Sequence, residues 1–176
     1  KDTIHQKYNE LARLLISEMN PEGYWTGRLS GSALSTAVAI VALKISDIEE
    51  GKQRIRSGYN WLLENINDDG GFGDTPESVS NESTTLLCYS AISYCQVNGN
   101  GTSTLRRMEG WLATRGIALE PLNITRSILK FYGKDLTFSV PILSMLHLAR
   151  VIPSSSLKEI PGLPFELTLL PRSLYS

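Results

Sequence analysis

Four residues of this chain recur as a set: Leu15, Met19, Gly23 and Trp25 return forty-seven positions later as Leu62, Ile66, Gly70 and Phe72. Ser35-Thr36 finds a partner in Ser83-Thr84, and a third, looser copy starts at Leu105 and Met108. That copy repeats Trp61-Leu62 as Trp111-Leu112 and closes near Gly116. A period of roughly fifty residues lies at the long edge of the range for helix-pair repeats. A unit of this kind cannot bury its apolar face alone and must stack on its neighbours. The repeat therefore restricts the chain to a stacked, repetitive architecture before any element is assigned.

Apolar spacing supplies the elements. Ile4, Tyr8, Leu11, Leu15 and Met19 recur at three- and four-residue steps, which predicts an amphipathic helix over Thr3 to Met19, stopped by Asn20-Pro21-Glu22-Gly23. A second helix, capped by Ser30 or Ser32, carries Leu34, Val38, Val41 and Leu43. From Ala33 to Leu43 it is apolar nearly all round, as an inner helix must be. Ile48 to Ile66 is amphipathic again, with Ile55, Tyr59, Leu62, Leu63 and Ile66 on one face. A Gly/Asp/Pro/Ser loop from Asn67 to Asn81 leads into a second short apolar helix, Ser83 to Cys95. Outer helix then inner helix has occurred twice. Further helices are expected at Leu122 to Tyr132 and Thr137 to Val151, the latter with Pro141 in its first turn, where a missing N–H costs little. No segment alternates with period two for long enough to make a strand, so the fold class is all-α.

Composition narrows the function. Seventeen Lys and Arg against eighteen Asp and Glu give a net charge of −1, which excludes the electrostatic footprint of a nucleic-acid binder. With 41% apolar residues the 176-residue chain can bury a core as a single domain. Cys88 and Cys95 make neither a disulfide scaffold nor a Cys-x-x-Cys pair and read as buried thiols of a reducing compartment, the cytoplasm. Ala33 to Leu43 is too short and too Ser/Thr-punctuated to span a bilayer. Lys1 stands where a Met is expected and Ser176 follows an apolar run, so a fragment of a longer protein is expected.

The repeated element, an apolar pair at a helix end followed by Gly-x-aromatic, appears as Leu14-Leu15 to Gly23-x-Trp25 and as Trp61-Leu62 to Gly70-x-Phe72. It resembles the repeat of the squalene–hopene and oxidosqualene cyclases and their protein-prenyltransferase relatives. The loop from Asp69-Gly70-Gly71-Phe72-Gly73-Asp74 to Thr84-Thr85 looks like the corresponding loop of bacterial squalene-cyclase-like proteins, and the segments from Leu136 and from Ile160 look like later ones. The resemblance implies a partial (α/α) toroid. Residues 1–176 would be an open arc of it, about three to four pairs where closure needs about six, and would belong to the amino-terminal barrel of a two-barrel protein. It also implies that the parent binds a long-chain isoprenoid such as squalene, with missing downstream helices of the same chain and a peripheral membrane association as further partners. Trp25, Trp61, Phe72 and Trp111 would be repeat-packing residues. Tyr89, Tyr94 and Phe138, on or near inner helices, would be candidates to line the substrate cavity, since ring faces stabilise carbocations.

The departures from that pattern bear on chemistry. The family's repeat Gln is replaced by Met19, Ile66 and Gly116, which leaves hydrophobic packing to hold the helix ends. Proton-initiated cyclisation needs Asp-x-Asp-Asp, and the nearest string is Ile66-Asn67-Asp68-Asp69, without its first acid. The magnesium-binding Asp-Asp-x-x-Asp fails at Phe72. The Asn67 to Asp74 loop lacks the ligand order of a calcium site, and His5 and His147 have no repeating Asp or Cys partner for zinc. No catalytic residue, metal or cofactor is therefore expected in this chain. Asp74 is expected to accept N–H groups of the Thr75-Pro76 turn, and Asn81 or Ser80 to cap the next helix. The sequons at Asn81 and Asn123 carry little weight without a leader sequence. The Pro-rich tail from Ile160 to Tyr175 is expected either to pack on absent helices or to face a membrane. The leading reading is an amino-terminal segment of a squalene-cyclase-like protein that helps form an apolar cavity. The alternatives are a non-catalytic helical-repeat module and a protein-prenyltransferase β-like subunit.

Overall fold

A computed structural model describes residues 2–27, 29–97 and 99–159. The described residues form seven α-helices and one short 3₁₀ helix, without strands. They are α1 (Asp2–Ser17), α2 (Ala33–Ser46), α3 (Gly51–Glu64), α4 (Glu82–Cys95), α5 (Thr102–Thr114), α6 (Pro121–Tyr132), α7 (Leu136–Leu148) and η1 (Ser154–Glu159). The tail from Ile160 lies outside the described residues. The chain divides into two compact units, Lys1–Ser30 and Gly31–Ser176.

The first unit is α1 and the turn that ends it. The Ser17 hydroxyl donates to the Leu14 carbonyl at 2.7 Å, and the chain then reverses at Gly23, whose φ of 87° is left-handed and suits a residue without Cβ. Asn20 closes the turn by accepting the Glu22 and Tyr24 N–H groups on its side-chain oxygen, both at 3.1 Å.

In the second unit the inner helices are α2, α4 and α7. Ser32, the second of the two candidate caps, accepts the Ser35 N–H and starts α2, which runs three residues past the expected Leu43. Asn81 rather than Ser80 caps α4 by accepting the Thr84 N–H at 2.9 Å. That start brings Glu82 into the first turn, where a carboxylate suits the positive end of the helix dipole. The Cys88 thiol reaches the Ala33 carbonyl at 3.6 Å and the Cys95 thiol the Ile40 carbonyl at 3.8 Å. Both pairs ascend by seven residues, so α2 and α4 run parallel in fixed register.

The outer helix α3 lies antiparallel to α2, with its first residue, Gly51, beside Leu43 and Gly58 beside Ile40 and Thr36. A Cβ at Gly58 would stand 2.6 Å from Ile40 Cγ2, so the absence of a side chain sets this close crossing. The helix α4 touches α2, α3, α5 and α7, and most of its residues are buried. The third inner position is filled by α7, since α6 packs mainly on α7 and η1. The Tyr132 hydroxyl at the end of α6 donates to Ser83 at the start of α4 (2.9 Å), and Phe138 at the start of α7 stacks on the Tyr132 ring. At the opposite end Arg150, just past α7, lies over the Tyr94 ring of α4. All three inner helices thus point the same way.

Several details differ from the expectation: α1 and α3 stop two residues early, at Ser17 and Glu64, α3 starts at Gly51 rather than Ile48, and α7 ends at Leu148 rather than Val151. Asp135 caps α7 so that it starts at Leu136, which puts Pro141 sixth in the helix, beyond the first turn. Pro141 and Thr137, whose carbonyl loses its helical donor, are both exposed, so water can take the place of the missing N–H. The α6 helix is an additional amphipathic element between outer α5 and inner α7, with no counterpart in the first two repeats.

Candidate functional site

The densest polar cluster in the second unit is the loop between α3 and α4. Asp69 is its hub. One carboxylate oxygen accepts the Gly71 N–H (2.9 Å) and the Ser80 hydroxyl (2.7 Å), and the other accepts the Trp111 indole N–H (3.0 Å). Desolvation pushes this carboxyl up, but the bonds from Gly71, Ser80 and Trp111, with the nearby Arg115, together hold it below its ordinary value. Arg115 also lies over the Trp111 ring, 5.0 Å from its centroid. From the same face of α5, Arg107 donates to the carbonyls of Asn67 (2.8 Å) and Asp68 (3.3 Å). The loop carboxylate is a joint between one repeat and the next outer helix, accepting three hydrogen bonds.

Phe72 is 1% exposed under this loop; its N–H donates to the Thr85 hydroxyl at 2.9 Å and its carbonyl accepts from Asn81. Asp74 differs from the expectation. Instead of accepting from the Thr75-Pro76 turn, its carboxylate accepts the Asn81 amide (2.9 Å) and the Thr84 hydroxyl, while its carbonyl accepts the Ala33 N–H at 3.2 Å. Pro76 has no N–H to offer, and the loop returns Asp74 over the start of α4, where donors are concentrated. Asp74 so ties the beginnings of α2 and α4 together. The sequon asparagines act as local structure: Asn81 caps α4, and the Asn123 side-chain oxygen accepts the Ala118 N–H at 3.0 Å.

The other aromatic candidates occupy separate places. In the first unit the Trp25 indole donates to the Leu15 carbonyl at 2.6 Å. In the second, Trp61 lies against Gly31. Tyr89 donates to Glu109 of α5 at 3.2 Å, and burial together with that carboxylate raises its phenol to about 12. Tyr94 sits under Arg150, and Phe138, 57% exposed, stacks on Tyr132. Tyr89 and Tyr94 are five residues apart on α4 and so point in different directions. The structure brings none of these three rings onto another.

Both thiols are protonated at neutral pH. Burial pushes Cys88 well up and Cys95 to about 11. The Nδ1–H of His147 donates to the Ile152 carbonyl at 3.1 Å. Among the described residues no three His, Cys, Asp or Glu side chains converge on a point where a metal could sit. No helix of the described residues is long and apolar enough to cross a membrane.

Three parallel inner helices, antiparallel outer helices and the recurring Gly-x-aromatic turn define an α/α repeat fold. The profile of the squalene-hopene cyclase N-terminal domain matches residues 9–143, more than half of the chain. This chain belongs to that family. Its α/α toroid-type fold follows the family's, and it corresponds to the N-terminal part of a squalene cyclase-like protein. No curated protein and no solved structure matches it. The squalene–hopene cyclase N-terminal match runs from α1 into α7 and so includes the Asp69 joint, α2, α4 and the first eight residues of α7.

Proposed function

We propose that this chain forms one wall of an apolar cavity for a long-chain isoprenoid such as squalene, and braces the part of a cyclase-like protein that carries the acid. The observation that carries the reading is the character of the inner helices. Neither α2 nor α7 contains a carboxylate, and α4 has only Glu82 in its first turn. The same helices leave Val38 and Ile45 of α2, and Phe138 and Leu148 of α7, exposed to solvent. Apolar side chains on the inner layer suit a hydrocarbon ligand, and family membership supports reading that ligand as an isoprenoid. The partners in this reading are squalene or a similar isoprenoid, further helices of a longer polypeptide and a membrane surface, with the protein in the cytoplasm.

Squalene binding followed by quenching of the intrinsic tryptophan fluorescence tests this. Val38→Asp with Phe138→Asp, both at exposed positions, should weaken binding at least tenfold while leaving the helical circular dichroism intact. Unchanged binding overturns the wall assignment. Gas chromatography of the wild-type incubation should show no cyclic triterpene above a no-protein control. A cyclic product would move an acid into this chain, with Asp68, Asp69 and Asp74 the first to be examined.

The absence of carboxylates from α2 and α7 also favours a second reading, a non-catalytic repeat module that holds an isoprenoid without converting it. A squalene complex that the full polypeptide never cyclises would select it.

A further inference from the structure

A cavity of about 220 Å³ opens where the C-terminal end of α2, the N-terminal end of α3 and the C-terminal end of α4 meet. Its walls are apolar, formed by Leu43 of α2, Ile48 in the turn between α2 and α3, Ile55 of α3 and Val97 beyond α4. Cys95 closes one side, its thiol turned to the Ile40 carbonyl and kept protonated by burial, so that wall is uncharged. The rim is charged and asymmetric: Lys44, Lys52 and Arg56 stand against a single carboxylate, Asp47. Lys52 is held by Glu49, which leaves Lys44 and Arg56 facing one acid.

Cavity size and rim charge together specify a ligand. A dry cavity of about 150 Å³ holds a benzene-sized molecule, so this volume suits a chain of about eight carbons and is too small for a membrane acyl chain. An apolar body calls for a hydrocarbon, and an excess of about one positive charge at the mouth calls for one negative charge at its end. We infer that this cavity binds a free medium-chain carboxylate, with its chain against Ile55 and Leu43 and its head group between Lys44 and Arg56. It is separate from the isoprenoid wall proposed above and does not depend on it.

Calorimetric titration of the full chain with octanoate at low ionic strength tests the inference. Affinity should rise about fourfold per added methylene from butyrate to octanoate, then level off at longer chains. Lys44→Glu with Arg56→Glu should weaken octanoate at least tenfold and leave 1-octanol unaffected. Ile55→Trp should abolish binding by filling the cavity. Val97→Trp, at a half-buried position of the wall, gives the same readout if the Ile55 variant does not fold. Octanoate binding that survives either folded Trp variant places the ligand elsewhere and overturns the inference. Equal binding of 1-octanol and octanoate by the wild type, or no binding of octanoate at millimolar concentration, overturns it as well.

Discussion

The turns at residues 20–25 and 67–72 share one backbone and differ in their side-chain wiring. In each, the Asn N–H donates to the carbonyl four residues on, Asn20 to Tyr24 at 2.9 Å and Asn67 to Gly71 at 3.0 Å. In each, a left-handed glycine donates back to the Asn carbonyl, Gly23 at 3.0 Å and Gly70 at 2.9 Å, with φ values of 87° and 91°. Beyond that skeleton they part. The first turn satisfies its donors within itself, through the Asn20 side chain and the Trp25-to-Leu15 bond. In the second, Asn67 reaches out to the Ser78 carbonyl and the Ser80 hydroxyl, and Asp69, where the first turn has Glu22, takes over the turn-closing bond and engages Trp111. The backbone carries the repeat, and in the second turn the loop also engages Arg107 and Trp111 of α5.

Substitution at the paired glycines is expected to separate the turns most. Alanine at Gly23 meets open space and should cost only the left-handed conformation, about 1–2 kcal/mol. Alanine at Gly70 would also stand 2.9 Å from the Arg107 carbonyl, and its loss in a urea unfolding curve should reach about 3–4 kcal/mol. Equal losses would mean that the joint to α5 adds nothing.

Asp69→Ala should cost about 2–3 kcal/mol by leaving Gly71, Ser80 and Trp111 without their acceptor, whereas Glu22→Ala should stay within about 0.5 kcal/mol. The aromatic exchange comes next. Phe72→Trp must fit an indole into a closed site at about 1–3 kcal/mol, while Trp25→Phe loses one bond to the Leu15 carbonyl at about 1 kcal/mol.

The smallest effect is in pH. Because the folded Asp69 carboxyl lies below its unfolded value, its contribution is fully present above that unfolded value, about 3.9. It is lost as pH falls through the lower folded one. Melting temperatures measured from pH 6 to pH 2 should therefore fall less steeply for Asp69→Asn than for the wild type. Matching slopes would show that the carboxylate is not linked to folding.

The sequence discloses the parts of this fold that are local. Helical spacing places the long elements, and the forty-seven-residue offset found in side chains reappears in the two turns' hydrogen bonds. The capping asparagine and serine are readable because their chemistry acts within three residues. The Asp69 joint is not readable in that way, since Trp111 lies forty-two positions away and periodicity says nothing of which polar groups meet. An Asp-Gly-Gly run does announce a tight turn with an oxygen to accept an N–H, and that is the one available signal. For Tyr89, spacing gives a place on an inner helix, but only the packing of α5 reveals that its hydroxyl is taken by Glu109. The extra helix α6 is visible as an element, though not as an interruption of the outer–inner order, because amphipathicity does not name a neighbour.

Cys88, shut between α2 and α4, makes that interface a clock. A thiol reagent reaches it only when the two helices part, so under native conditions its labelling rate reports how often the seam opens. Cys95, seven residues on, borders the cavity at the end of the seam and can be reached from there, so its faster labelling supplies the reference against which the opening is timed.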